Sequence, residues 1–395
     1  MTNKTPGDKT LLTHAGRPFN PAFPYVNPPV VRASTVLFES VHRMHECEAH
    51  RNAGIKDSPT YGIWGTPTHE AFYEALKALE GPEAVGAWAF STGLAACTVP
   101  LMAFVSAGDH ALFADTVYGP TRDFAENVLT RFGVEVEFYE PRIGAGIEKL
   151  IRANTKLVMM ETVGTHSFEL QDVPAIAAVC RKHNVISVID NTWATPLYFK
   201  PLDHGVDMVI HAATKYIAGA SDLMMGVVIC NKKAWKPVFQ LVADTGQATP
   251  SDDVYLAYRG LHSLAARMKA AEDGAAQVIA WFKAQPEVEA ILWPADPDNP
   301  DYALWKRDYK GASPLFGVRL KPEWAGKLEP MVDALKLIGR GYSWGGYESL
   351  LVMSYGKRTT GKVPFDRMIR MAVGLEDPAD LIADLEQAFA VLRNH

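Results

Sequence analysis

Cysteine is scarce in this chain. Its four copies, Cys47, Cys97, Cys180 and Cys230, lie far apart among 395 residues, which excludes a disulfide framework and fits a reducing compartment. An excess of positive charge is missing as well: 39 Lys and Arg face 45 Asp and Glu, for a net charge of −6. That balance argues against nucleic acid as a partner, since binding phosphates needs a basic face. No apolar run approaches the ~20 residues of a membrane span, so no membrane partner is expected. The opening MTNKTPGDKTLLTHAG carries neither the apolar segment nor the cleavage site of a secretory signal. No GxGxxG follows an early strand and no Walker loop is present, which removes the usual dinucleotide and nucleotide readings. The expectation is a soluble, cytoplasmic, globular protein.

What is there divides into three parts. Residues 1–64 are rich in proline, with Pro18, Pro21, Pro24, Pro28 and Pro29 close together. Proline blocks regular pairing, so this stretch reads as an extended arm of the kind that lies across a partner subunit. Residues 65–258 alternate short β-rich runs with helical stretches. The candidate strands are Ala111–Asp115, Val134–Tyr139, Leu157–Glu161, Val185–Asp190, Met208–His211 and Val227–Cys230. Between them lies, for example, a helix over Asp172–His183, where Asp172 can cap and Pro174 fits the first turn. This alternation predicts an α/β fold, a mostly parallel sheet with helices on both faces, with ligands at the carboxyl ends of the strands. Glu161, Asp190 and residues 211–215 fall at such ends. Residues 259–395 change character: a long amphipathic helix over Leu261–Gln285, a Trp/Pro/Asp-rich loop at Trp293–Asp301 and a last helix over Pro378–Leu392 make a smaller C-terminal α/β domain.

The chemistry gathers around residues 211–222, HAATKYIAGASD, where Lys215 sits among small residues between two apolar runs. Lysine is rarely buried unless something pairs with it or uses it. His42, His45, Cys47 and His50 match no zinc spacing and read as a solvated helix face, so no metal is expected. Ser91-Thr92-Gly93-Leu94 can cap a helix and offer free amides to an anion such as phosphate, though many helices start so. Asp190 ends an apolar strand; alone it reads as a turn cap. An amine, a carboxylate and a phosphate cup together are what pyridoxal 5'-phosphate requires.

The stretches YGIWGTPTHEAFYEALKALEG, ADTVYGPTRDF, DNTWATPLYFKPLDHGVDMVIHAATKYIAGASDLMMG, YSWGGYESL and IRMAVGLEDPADLIADLEQAF resemble, in order, the Cys/Met-metabolism family of pyridoxal-phosphate enzymes, over residues from about 35 to the end. The resemblance implies the type I PLP-dependent transferase (aspartate aminotransferase-like) fold. It implies that Lys215 carries pyridoxal 5'-phosphate as a covalent Schiff base and later moves the substrate α-proton. It implies further that Asp190 faces the ring nitrogen and that Tyr118 stacks on the ring and assists catalysis. Gly93, Leu94 and Thr214 would hold the phosphate, and Tyr61 would serve a neighbouring subunit's site. Arg370 would clamp the substrate α-carboxylate, with Ser343 and Trp344 lining the substrate side. A homotetramer built as a dimer of dimers with shared sites is implied as well. Within the family, VYGPTRDF and YSWGGYES are most similar to the β-lyase branch, implying cleavage of L-cystathionine to homocysteine, pyruvate and ammonia. The rival readings are γ-elimination or γ-replacement, sulfhydrylation of an acylated homoserine, and a non-catalytic cofactor-binding regulator. Two departures stand out: Ile63 occupies a position where many relatives carry a phosphate-binding arginine, and Val163 one where they carry proline.

Overall fold

The computed structural model describes residues 6–17, 24–52 and 58–394; Pro18 and Pro21 of the expected arm lie outside them. Seven strands form the larger sheet: β1 (Gly86–Phe90), β2 (His110–Ala114), β3 (Glu135–Tyr139), β4 (Thr155–Glu161), β5 (Ile186–Asp190), β6 (Met208–His211) and β7 (Gly226–Cys230), in the order β1-β7-β6-β5-β4-β2-β3. Strands β2 to β6 run parallel, β7 is reversed, and β1, antiparallel to β7, points the same way as the rest. Helices shield both faces, which is why β1, β2, β5, β6 and β7 are buried at every position and read as unbroken apolar runs. The expected strands are therefore present to within a few residues. The run Ala87–Phe90 adds a seventh strand, at the sheet edge.

Local signals set the helix ends. The helix Val173–Lys182 starts at Asp172, whose carboxylate accepts the Ala175 amide at 3.2 Å, with Pro174 in the first turn. The long helix begins ten residues before the expected start and runs over Ser251–Lys283. Its early turns were hard to see because Asp252, Asp253 and Arg259 interrupt the apolar stripe, yet Val254, Ala257 and Tyr258 are buried.

A second, antiparallel sheet has β8 (Val288–Leu292), β9 (Leu315–Leu320), β10 (Leu350–Met353) and β11 (Met368–Ala372) in the order β10-β11-β9-β8. It has its own apolar core, in which Phe282 of the long helix, Phe316 of β9 and Phe389 of the last helix, Pro378–Arg393, meet edge to face. The loop expected over Trp293–Asp301 fastens this part to the first. Asp301 takes a two-point contact from Arg142 at 2.7 and 2.8 Å and accepts the Leu170 amide at 3.0 Å.

Within residues 1–64 the described stretches include two helices, Asp8–His14 and Val41–Asn52. Leu12 is buried in the larger core, and Arg32 grips Asp252 at the start of the long helix. Residues 24–40 have no helix or strand. Among the described residues no helix is long and apolar enough to cross a membrane.

Asp384 on the last helix accepts three successive amides, Lys336 and Leu337 and Ile338, each at 2.9 Å, and so holds the segment ahead of β10. Burial alone would raise its pKa, but these donors outweigh it and the carboxyl lies below its ordinary value. Asp384→Ala leaves buried amides without acceptors and is expected to cost about 2–4 kcal/mol of stability in urea unfolding. Because the folded-state pKa is depressed, this advantage of the wild type is present above the unfolded carboxyl pKa of about 4 and shrinks as pH falls below it.

Candidate active site

The register of the larger sheet brings the suspected residues to one edge. Glu161, Asp190 and Ile210 are aligned across β4, β5 and β6. On the far side of β7, Phe90 faces Gly226 while His211 faces Val227. The reversed strand thus puts the end of β1 beside the end of β6. The helix Gly93–Thr98 starts there, capped by Thr92, whose hydroxyl accepts the Ala95 amide at 2.9 Å. A Cβ on Gly93 would stand 2.8 Å from that of Ala212, so only glycine lets the two turns meet. The Gly93 and Leu94 amides belong to a first turn without intrahelical acceptors.

Lys215 follows β6 by four residues in a tight turn, its amide bonded to the Ala212 carbonyl at 2.9 Å. The turn is gripped from behind by the long helix. Arg267 donates to the carbonyls of Tyr216 at 2.7 Å and Ile217 at 3.3 Å. A side chain on Gly219, which has φ +72°, would collide with that guanidinium, and one on Gly260 would strike the carbonyls of Ile217 and Ala218. Gly219, within HAATKYIAGASD, is therefore a packing requirement, and so is Gly260 on the helix behind it. In front, the Lys215 amine donates to Ser343 Oγ at 2.5 Å and lies 5.4 Å from the centre of the Trp344 ring. Burial and the neighbouring Arg370 cation lower its pKa from the ordinary 10.5 to about 8, against the pull of Asp190.

Asp190 is buried, accepting the Thr192 amide at 2.9 Å, the Thr192 hydroxyl at 2.5 Å and the Cys97 thiol at 3.4 Å. Thr192 in turn accepts the Ala212 amide at 2.8 Å, which ties the carboxylate to the lysine turn. Glu161 lies one strand over. Burial, then the charge of Asp190, push its carboxyl well above the ordinary range, although it accepts the Tyr118 amide at 2.6 Å and the Thr165 hydroxyl. The bond to the Tyr118 amide helps hold the half-exposed Tyr118 ring at the crevice mouth. Beside Glu161 the Thr162–Val163 peptide is cis, at the position where Val163 replaces the expected proline.

Arg370 comes from the other sheet, in the middle of β11 and 9% exposed. It makes no ion pair among the described residues. Its Nη2 donates to the Ser343 carbonyl at 3.4 Å and its Nη1 lies 3.5 Å from His166 Nε2. Ser343 therefore touches both cations, Lys215 through Oγ and Arg370 through its carbonyl, from a left-handed backbone with φ 76° that is uncommon for serine. The run Gly341–Gly345, GYSWG, has the spelling of a hydrolase elbow, but it neither follows a strand nor opens a helix.

The remaining expected residues are placed less centrally. Thr214 bonds through its hydroxyl to the Met225 carbonyl at 3.1 Å and accepts the Met225 amide at 2.9 Å, so serving a phosphate requires the hydroxyl rotor to turn. Tyr61 is 50% exposed beside the short turn Gly62–Trp64, and no contact ties it to Lys215 or Arg370. Ile63 lies in that turn, and the Arg51 guanidinium stands over the adjacent Trp64 ring at 4.7 Å. Residue-by-residue reading missed His166 and Arg267. The first sits in ETVGTHSFE without a recognisable pattern, and the second is one of several basic residues on an amphipathic helix.

These residues fit pyridoxal phosphate: an amine poised near neutrality, a buried carboxylate one strand away and a glycine-lined turn with free amides. Lys215 could hold the aldehyde, Asp190 the ring nitrogen, and Gly93 and Leu94 the phosphate. In the apoprotein, acylation of Lys215 followed by peptide mass analysis is expected to rise with pH around a midpoint near 8, whereas surface lysines follow about 10.4. Arg370→Leu removes a neighbouring cation and is expected to move the Lys215 midpoint upward.

The family model described as Cys/Met metabolism PLP-dependent enzyme matches residues 9–390. The chain is 47% identical to the "Putative cystathionine beta-lyase" of Rhizobium johnstonii, covering 97% of this chain and 96% of that one. It is 38% identical to the "L-alanine/L-glutamate racemase" of Wolbachia pipientis, over 98% and 97% of the two chains. Its structure is similar to that of cystathionine gamma-lyase from Lactobacillus plantarum complexed with L-serine, with a TM-score of 0.88, 30% identity, and 98% and 99% coverage. A fold, a site and a family match over nearly the whole length agree: the chain belongs to the Cys/Met metabolism PLP-dependent enzymes, as a cystathionine β-lyase-like member whose cofactor is pyridoxal phosphate.

Proposed function

We propose that this enzyme cleaves L-cystathionine by β-elimination, giving homocysteine, pyruvate and ammonia, and that it also accepts other cysteine thioethers. The observation that carries the reading is the placement of Lys215 and Arg370 on either side of Ser343. A substrate whose carboxylate engages Arg370 in a two-point fork brings its Cα toward the Lys215 amine. When bound, pyridoxal phosphate supplies an aldehyde for the substrate amine and a ring that takes up the electrons left at Cα.

The chain's own groups do the rest. Lys215, neutral in a large fraction of molecules near its lowered pKa, takes the Cα proton. Asp190 would hold the proton on the ring nitrogen of the bound cofactor, Tyr118 would cover the ring, and Trp344 would line the substrate side. The Cβ–S bond then breaks with its electron pair on sulfur, and the thiolate leaves as homocysteine after taking a proton. The three-carbon enamine left behind reacts with water to give pyruvate and ammonia. A single base near Cα suffices for this, whereas γ-elimination needs a further proton removed from Cβ. A racemase removes the same Cα proton and returns one to the opposite face, so the name of the Wolbachia relative belongs to related chemistry.

The half-exposed Tyr61 and the exposed Tyr25, Val26 and Leu37 support an assembly in which the N-terminal residues meet a neighbouring copy, a homotetramer in this reading. Four buried free thiols support a reducing, cytoplasmic setting.

Product analysis tests the reaction. Pyruvate, homocysteine and ammonia in equal amounts are expected from L-cystathionine; 2-oxobutyrate with cysteine would replace it by γ-elimination. Lys215→Ala is expected to lose at least about 1,000-fold in kcat and the covalent link to the cofactor, read as a borohydride-reduced pyridoxyl group on the Lys215 peptide of the wild type. A reduced adduct on another lysine, with activity kept in Lys215→Ala, would remove Lys215 from its assigned role.

A further inference from the structure

We propose that His166 is a positioning residue for the substrate carboxylate: its Nε2 lone pair orients the Arg370 guanidinium, and Tyr355 holds the ring in place. The inference rests on the reading of Arg370 as the carboxylate clamp, and it adds a residue to which no role has yet been given.

His166 is 3% exposed and stands on a left-handed backbone, φ 61°, in the loop after β4. Its Nε2 lies 3.5 Å from Arg370 Nη1. A guanidinium has five donors and no acceptor, so the imidazole nitrogen facing it must be the one with the free lone pair. The proton is therefore on Nδ1, and a doubly protonated ring would set donor against donor and cation against cation. Burial, reinforced by the Arg370 charge, drives the His166 pKa down to about 3, in agreement with that neutral tautomer. On the other side, the Tyr355 ring packs against the imidazole with centroids 4.3 Å apart.

The second contact of Arg370 completes the geometry. Nη1 gives one hydrogen to His166 and Nη2 gives one to the Ser343 carbonyl. Two acceptors on the two terminal nitrogens fix the plane of the fork and leave one N–H on each for a two-point carboxylate contact. No carboxylate pairs with Arg370 among the described residues, so nothing else of that strength competes for the fork. The histidine carries a burden as well: its Nδ1–H is buried and meets no acceptor among the described residues, a feature that an apolar residue of similar size would not have. Stability alone does not account for a histidine here. Its link to Arg370 does.

Tyr355 is itself placed by a latch. The segment after it is held to the larger sheet by the buried Asp115, which accepts the amides of Thr359 at 2.8 Å and Thr360 at 2.5 Å and the Arg358 guanidinium at 3.2 Å. The brace on His166 thus reaches from the end of β2, through residues 355–360, to the substrate arginine.

The test uses the holoenzyme with three variants, His166→Leu, His166→Gln and His166→Asn, beside Arg370→Lys. For each, KM and kcat for L-cystathionine are measured, together with the inhibition constant of propionate, a carboxylate without an amine. His166→Leu is expected to raise KM and the propionate constant together by about 10-fold, the size of one lost hydrogen bond to a charged group, with a smaller change in kcat. Glutamine can bring an acceptor oxygen to the place of Nε2 and is expected to restore most of the loss. The shorter asparagine cannot reach and is expected to behave like leucine. Equal behaviour of the glutamine and asparagine variants overturns the proposal even if the leucine variant fails to fold. Arg370→Lys separates the two ideas. If it raises the propionate constant while His166→Leu does not, the clamp stands and the role of His166 falls; if neither does, the clamp itself falls.

Discussion

Two cationic side chains, Lys215 and Arg370, share one buried pocket, and much of the site answers that constraint. Neither forms an ion pair among the described residues. The amine responds by giving up its proton more readily, and the guanidinium, which cannot, is supplied with neutral acceptors, Ser343 O and His166 Nε2. Ser343 serves both from an unusual backbone conformation. A third cation, the Arg267 guanidinium, stands behind the lysine turn and is satisfied by carbonyls. Charge is thus distributed so that the lysine is the group whose protonation gives way. An enzyme that must take a proton from carbon near neutral pH needs that distribution.

The acidic side of the pocket follows the same logic in reverse. Asp190 and Glu161 end adjacent parallel strands, and two buried carboxylates at that spacing do not both ionise easily. Asp190 accepts the Thr192 amide and hydroxyl, while the Glu161 carboxyl is raised above its ordinary range and turned to a structural task under Tyr118. In the proposed reading Asp190 would face the cofactor's ring nitrogen, while Glu161 becomes part of the wall.

How much of this could be read in the chain differs by element. The parallel strands were legible because their burial on both faces leaves unbroken apolar runs, and Asp190 and Lys215 were legible because strand ends in such a sheet share an edge. The reversal of β7 was not, since an apolar run carries no direction. Nor was the early part of the long helix, where surface charges mask its buried side. Arg370 needed the family resemblance, because an isolated arginine in MIRMAV says nothing about facing a lysine 155 positions earlier in the chain. His166 and Arg267 had no local signal: each matters only through a contact between elements distant in sequence. The small residues around Lys215 were read as room for a ring, and the packing gives them a further cause in Gly219 and Gly260, which admit Arg267 and the long helix.

The pocket joins two sheets that have separate apolar cores. Lys215, Asp190 and the Gly93 turn are supported by the larger sheet, whereas Arg370 stands on the smaller one and Ser343 lies in the loop ahead of β10; Trp344, next to it, packs against the larger core. In the proposed reading, a side chain that faces the substrate from β11 can therefore change with little effect on the core beneath the cofactor. Such a division makes the architecture modular: one half preserves a common chemistry at Cα while the other is free to diversify. Relatives sharing this fold under the names of a β-lyase, a γ-lyase and a racemase are what a modular ancestry would leave behind.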